Sequence, residues 1–101
     1  MINDKLLEDL RYIFIKYSEI DKVILFGSRA RGDNKVNSDV DLCIFGEGIT
    51  HLVYAKVTMD IEELNTPLSF DVLNFNELSK NELIDNILSE GVDIYNGKEV
   101  R

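Results

Sequence analysis

No apolar run in this chain approaches the ~20 residues needed to cross a bilayer, and the opening segment MINDKLLEDL lacks the basic start of a signal peptide. A soluble, cytoplasmic protein with no membrane partner is expected. Cysteine is almost missing: Cys43 alone cannot close an internal disulfide, which fits a reducing compartment. Internal repeats, low-complexity tracts and Pro/Gly/Ser-rich linkers are absent too, so residues 1–101 are expected to form one small domain. Basic residues are outnumbered, 11 Lys and Arg against 19 Asp and Glu, for a formal net charge of −8. Duplex-binding proteins present a basic face to phosphates, so direct nucleic-acid binding is not expected. A nucleotide arriving with its own magnesium escapes that objection, because the metal offsets the repulsion.

What is present suits an ordinary globular chain, 45% hydrophobic and 30% charged. Leu6, Leu10, Ile13, Phe14 and Tyr17 recur at helical spacing over residues 4–18, with Asn3 as a cap. Lys22 to Phe26 reads as a strand ending at Gly27, and residues 28–31 as one helical turn before Gly32. Loop chemistry fills 32–38. From Asp39 to Phe45 the residues alternate, with Asp39, Asp41 and Cys43 on one face and Val40, Leu42 and Ile44 on the other. Thr50 caps a helix whose stripe is Val53, Val57, Ile61 and Leu64, ending before Pro67. Residues 68–73 read as a third strand, with Phe70 and Val72 on one face and Ser69, Asp71 and Leu73 on the other. Ser79-Lys-Asn-Glu82 has the form of a capping box opening a helix that buries Leu83, Ile84, Ile87 and Leu88, with Gly91 at its C-cap. Val92 to Tyr95 adds an edge strand before an Asn96-Gly97 turn. The expected fold is α+β: one small mixed sheet of about four strands, flanked by helices.

Three features carry chemistry. Gly27-Ser28 ends a strand just before a helical turn, where glycine admits close approach of a phosphate and helix-opening amides favour anions. Asp39 and Asp41, two apart on a strand, project from one face, and adjacent carboxylates repel unless a cation neutralises them. Oxygen ligands of this kind suit magnesium or manganese. Asp71 lies within an otherwise apolar strand, a position that depletes Asp. If its strand neighbours the one carrying Asp41, the three carboxylates form a cluster able to hold two divalent ions ~4 Å apart. Lys22, Arg29, Arg31 and Lys35 supply local positive charge expected around this loop.

Gly27-Ser28-Arg29-Ala30-Arg31-Gly32, followed by Ser38-Asp39-Val40-Asp41-Leu42, resembles the signature of the DNA polymerase β-like nucleotidyltransferase superfamily. Across essentially all 101 residues the chain looks like its small branch, the minimal nucleotidyltransferase (MNT) domain proteins or MntA-type antitoxins. The resemblance implies that Asp39 and Asp41 bridge two Mg2+ ions, with Mn2+ an alternative. It implies that Asp71 binds the catalytic ion and helps deprotonate an acceptor hydroxyl. It places Gly27 and Ser28 against the β- and γ-phosphates of a nucleoside triphosphate such as ATP, with Arg29, Arg31 and Ser38 as further phosphate candidates. The implied reaction moves AMP onto a hydroxyl, and the implied partner is a HEPN-domain toxin whose tyrosine is modified.

A chain this short is expected to lack the second domain that larger relatives close over nucleotide and acceptor, so an oligomer or mixed complex is expected to complete the site. Tyr12, Phe14 and Tyr17 on the first helix are interface candidates, although core packing is their usual use. Two rival readings are a non-catalytic toxin clamp, which has no need of three clustered carboxylates, and an antibiotic nucleotidyltransferase, which needs a second substrate domain. His51 reads as exposed, Cys43 as a small buried hydrophobe, and Asp60–Glu63 as a solvated helix face.

Overall fold

The computed structural model describes residues 2–100. Helix α1 (Asp4–Phe14) begins where Asn3 Oδ1 accepts a hydrogen bond from the Leu6 amide at 2.8 Å, and it buries Leu6, Leu10, Ile13 and Phe14. It stops four residues short of the expected end. Amides of Lys16 and Tyr17 bond three residues back, a tighter turn that swings Ile20 into the core at zero exposure. Then follow β1 (Lys22–Phe26), the short helix α2 (Ser28–Arg31) and β2 (Val40–Phe45). Next come α3 (His51–Glu62), β3 (Phe70–Asn74), a single 3-10 turn (Phe75–Glu77), α4 (Asn81–Glu90), β4 (Val92–Asn96) and α5 (Gly97–Val100).

The sheet order is β3-β2-β1-β4, with β1 antiparallel to β2 and β4, and β2 parallel to β3. Alternation along the strands divides the interior in two. Val23 and Leu25 of β1, with Val40, Leu42 and Ile44 of β2, face α1 and α3 in the main cluster. Ile24, Phe26 and Cys43 face the opposite side, where Ile87 of α4 covers them. Thr50 Oγ1 caps α3 through the Val53 amide, and Val57 and Ile61 are the buried members of its stripe.

Three expectations fail locally. Ser79 does not cap α4: the N-cap is Lys80 and makes no side-chain bond, because Leu78 and Leu83 both pack against the second cluster and the chain between them enters the helix one residue later. Leu88 is 55% exposed rather than buried, since one step beyond Ile87 rotates it ~100° away from the sheet. Gly97 opens α5 instead of a turn, with Asn96 Oδ1 accepting from the Lys98 amide at 3.0 Å. Asp60 is also more than a solvated charge. It accepts from the Tyr17 hydroxyl and pairs with Lys16 at 3.0 Å, tying the exit of α1 to α3.

Gly91 joins α4 to β4 at φ −71°, a conformation open to any residue, so its smallness is what matters. A Cβ there would fall 2.3 Å from both Ile24 Cγ2 and the Ile87 carbonyl oxygen. Gly91→Ala is expected to cost about 1–3 kcal/mol by overpacking. Each kcal/mol lowers the melting temperature of a domain this size by about 4–8 °C, readable by thermal denaturation followed by circular dichroism.

Candidate active site

The site lies on the α4 side of the sheet, at the end where β1 finishes and both β2 and β3 begin. Phe26 is opposite Asp41 across the antiparallel pair, and Asp41 is opposite Asp71 across the parallel pair. Sequence alternation predicts one face for Asp39 and Asp41; the ladder now adds Asp71 beside Asp41, on neighbouring strands. Asp39 precedes β2 and is exposed, as is Asp71, while Asp41 is half-buried. Burial, then the charge of Asp71, then that of Asp39, raise the Asp41 carboxyl above its ordinary range, and Arg31 pulls it partly back.

Gly27 turns the chain from β1 into α2 at φ +75°, where a side chain is strained. A Cβ there would fall 2.2 Å from Asp41 Oδ2, so the glycine backbone lies directly against the central carboxylate. Ser28 is the first residue of α2, and Gly32 closes that turn in the left-handed conformation at φ +86°. The Gly-Ser turn and the acid pair, remote by a dozen residues in sequence, are thus adjacent in space.

The other expected site residues are placed differently. Arg29, expected at the phosphates, is buried: its Nε donates to the Ser38 carbonyl at 3.0 Å, and its Nη2 to the carbonyls of Ser38 at 2.8 Å and Val36 at 3.2 Å. Ser38 is taken up in the same loop, its Oγ accepting from the Lys35 amide at 2.8 Å. Arg31 reaches solvent at the rim and pairs with Asp33 at 3.2 Å and Glu90 at 3.4 Å. Lys22 does not join the loop at all. It begins β1, about 13 Å of strand away from Phe26, and its Nζ sits 4.9 Å above the Phe45 ring. Two expected bystanders are confirmed: His51 has a 94% exposed side chain, and Cys43 is fully buried, with burial pushing its thiol up to about 12. Of the three aromatic interface candidates, Phe14 is core, Tyr17 half-buried and Tyr12 73% exposed.

Sequence reasoning missed Tyr54. Its hydroxyl donates to the Val72 carbonyl, and burial together with the charges of Asp71 and Glu77 raises its pKa. Nothing in the helical pattern of α3 distinguishes it, because the contact arises only when β3 folds back beside that helix.

A divalent cation suits this donor set. The oxygens are hard ligands, none of the three carboxylates is held in an ion pair among the described residues, and the central one is disfavoured in its charged form by burial and then by its acidic neighbours. They are not a ready-made chelate: no three His, Cys, Asp or Glu side chains stand together at metal-holding spacing among the described residues. Like charges spread, and the two outer carboxylates are exposed to solvent.

A short mixed sheet carrying an acid pair beside a positive-φ Gly-Ser turn defines the class: a nucleotidyltransferase. Residues 8–100 match the family described as Polymerase beta, Nucleotidyltransferase. A protein of Methanocaldococcus jannaschii named as a protein adenylyltransferase is 35% identical over 83 residues, 81% of this chain and 86% of its own length. Two solved complexes share the fold. One is a toxin–antitoxin with AMP-PNP, at TM-score 0.71 and 15% identity over 98% of this chain and 77% of that one. The other is a tri-AMPylated HEPN toxin of Shewanella oneidensis with its MNT antitoxin, at TM-score 0.71 and 10% identity over 98% and 76%. The chain belongs to the polymerase β nucleotidyltransferase family.

The raised Asp41 carboxyl gives a stability test. The folded state holds that proton more tightly than the unfolded chain does, so this group's contribution to stability falls as pH rises through the carboxylate range and is unfavourable at neutral pH. In metal-free buffer at pH 7, Asp41→Asn should therefore melt higher than wild type. The gain should be under about 1 kcal/mol, since solvent screens the half-exposed cluster. Melting curves taken down to about pH 3 should converge as the acid is neutralised.

Proposed function

We propose that this chain is a minimal, single-domain adenylyltransferase that moves AMP from ATP to a hydroxyl, the acceptor being a tyrosine on a HEPN-type toxin that it restrains as an antitoxin. The observation that carries the chemistry is the cross-strand pairing of Asp41 with Asp71, next to Gly27 and with Asp39 at the mouth of β2. Asp39, Asp41 and Asp71 would hold two Mg2+ ions, or Mn2+ in their place. Bound there, the ions supply charge neutralisation for the triphosphate and lower the pKa of the attacking hydroxyl.

The chain's own part is placement. Gly27 carries no side chain to keep a β- or γ-phosphate at a distance, and the Ser28 hydroxyl adds a donor. Arg31 at the rim offers a cation to the departing pyrophosphate by exchanging its surface partners Asp33 and Glu90. An Asp71 oxygen accepts the proton of the acceptor hydroxyl as its oxygen bonds to the α-phosphorus and the bond to pyrophosphate breaks. The toxin partner is supported by the two fold neighbours, which are toxin–antitoxin complexes, one of them AMPylated, whereas the choice of tyrosine as acceptor follows from the resemblance to the MNT branch alone. The adenylyl group also follows the name of the 35%-identical relative.

Incubation with Mg2+ and α-labelled ATP, with and without lysate of the source cell, should transfer label to a protein band. Asp39→Asn or Asp41→Asn should lower transfer at least about a hundredfold, the equivalent of about 2.7 kcal/mol of charge stabilisation, while leaving the domain folded with a cooperative melting transition. Transfer from γ-labelled ATP would mean phosphoryl transfer and defeat the reading. Full activity in both variants would remove the metal assignment.

A further inference from the structure

Asp39 is the least anchored of the three acids by strand pairing, because it lies in the approach to β2 and its side chain is exposed. Its backbone, however, is held from both sides. On one side, the Val40 amide donates to the Ser69 carbonyl at 2.9 Å, fixing the start of β2 to the segment that leads into β3. On the other, the Ser38 carbonyl, one peptide bond from Asp39, accepts two hydrogen bonds from the Arg29 guanidinium, which also reaches the Val36 carbonyl. The loop closes on itself behind this grip: Ser38 Oγ accepts from the Lys35 amide, and the Ser38 amide donates to the Lys35 carbonyl at 3.1 Å.

We infer that Arg29 is a positioning residue: a buried clasp that locks the 36–38 loop to α2 and so sets Asp39 for cation binding. Arg29 is only 6% exposed, so the charge is withheld from solvent, and its Nε and Nη2 are committed to backbone oxygens. The clasp has a geometric consequence. Arg29 stands directly after Ser28, so the turn that faces the phosphates and the loop that delivers Asp39 are joined by one side chain. Lysine offers a point charge without the fixed fork and cannot reproduce the paired bonds to the Ser38 carbonyl together with the one to Val36. The inference rests on reading Asp39 as a cation ligand and adds the residue that places it.

The test uses the full chain and Mn2+ alone, by titration calorimetry, together with amide hydrogen exchange over residues 36–39. Loss of a partner that orients a metal ligand lowers metal affinity by about 10–100-fold. Arg29→Met should weaken Mn2+ binding by about tenfold or more and speed exchange at 36–39. Arg29→Lys should fall between the two, and it carries the test if the methionine variant does not fold. Excess Mn2+ should restore adenylyl transfer in the variants, which a general loss of structure would not allow. A variant that binds Mn2+ as tightly as wild type, or exchanges at the same rate, overturns the clasp alone. Wild-type protein that takes up no Mn2+ overturns the functional reading and the clasp with it.

Discussion

Strand β3 runs parallel to β2, and a parallel pair cannot be closed by a tight turn: the chain must cross over and return to the same end of the sheet. Here the crossover is α3, packed on one face with Val57 and Ile61 in the main core. Its return sets the starts of β2 and β3 side by side, and two aspartates meet in register. Every other feature of the site is arranged around that pairing. The antiparallel β1 then ends beside the same corner and delivers Gly27 against Asp41. An antiparallel β3 would have put Asp71 in a different relation to Asp41 and left the Asp39–Asp41 pair at the start of β2 without its third member.

Placing like charges together works against folding, and the structure shows where that opposition is met. The main cluster holds Leu10, Phe14, Leu25, Leu42 and Ile44 at zero exposure, each such side chain contributing about 1.5–3 kcal/mol on burial. The repulsion is confined to a corner that α4 leaves uncovered, so it is screened by solvent. The acidic surplus of the whole chain has the same logic. It is tolerable on a surface, and at one corner it brings Asp39, Asp41 and Asp71 close enough for the charges of the other two to raise the Asp41 carboxyl.

Much of this was legible before any coordinates. Alternation from Asp39 to Phe45 followed from the two-residue period of a strand, and Asp71 stood out as an acid in an apolar strand. The short helix after Gly27-Ser28 was expected at the strand end, while the positive φ of Gly27 emerges only in the fold. The elements that misled were those decided by tertiary contact. Ser79 has the chemistry of a cap, yet packing of Leu78 and Leu83 moved the helix start. Arg29 and Arg31 share a loop and a charge, and sequence alone treats them alike. One is inside holding backbone carbonyls and the other outside pairing with Glu90, a residue 59 positions away. Lys22 looked close to the site by numbering, and the length of β1 carries it to the far end. Distances along a chain and distances across a sheet diverge most where strands are straight.

The two outermost strands each expose backbone groups that a foreign strand could match. At β3, the hydroxyl of Tyr54 is hydrogen-bonded to the Val72 carbonyl. At β4, Ile94 has no counterpart in the β1 register and forms a bulge, whose carbonyl receives Arg11 Nε at 2.7 Å. A side chain from a helix thus stoppers each margin of the sheet. A polypeptide pairing along the full length of either border would have to displace an aromatic hydroxyl or a guanidinium from the carbonyl it occupies.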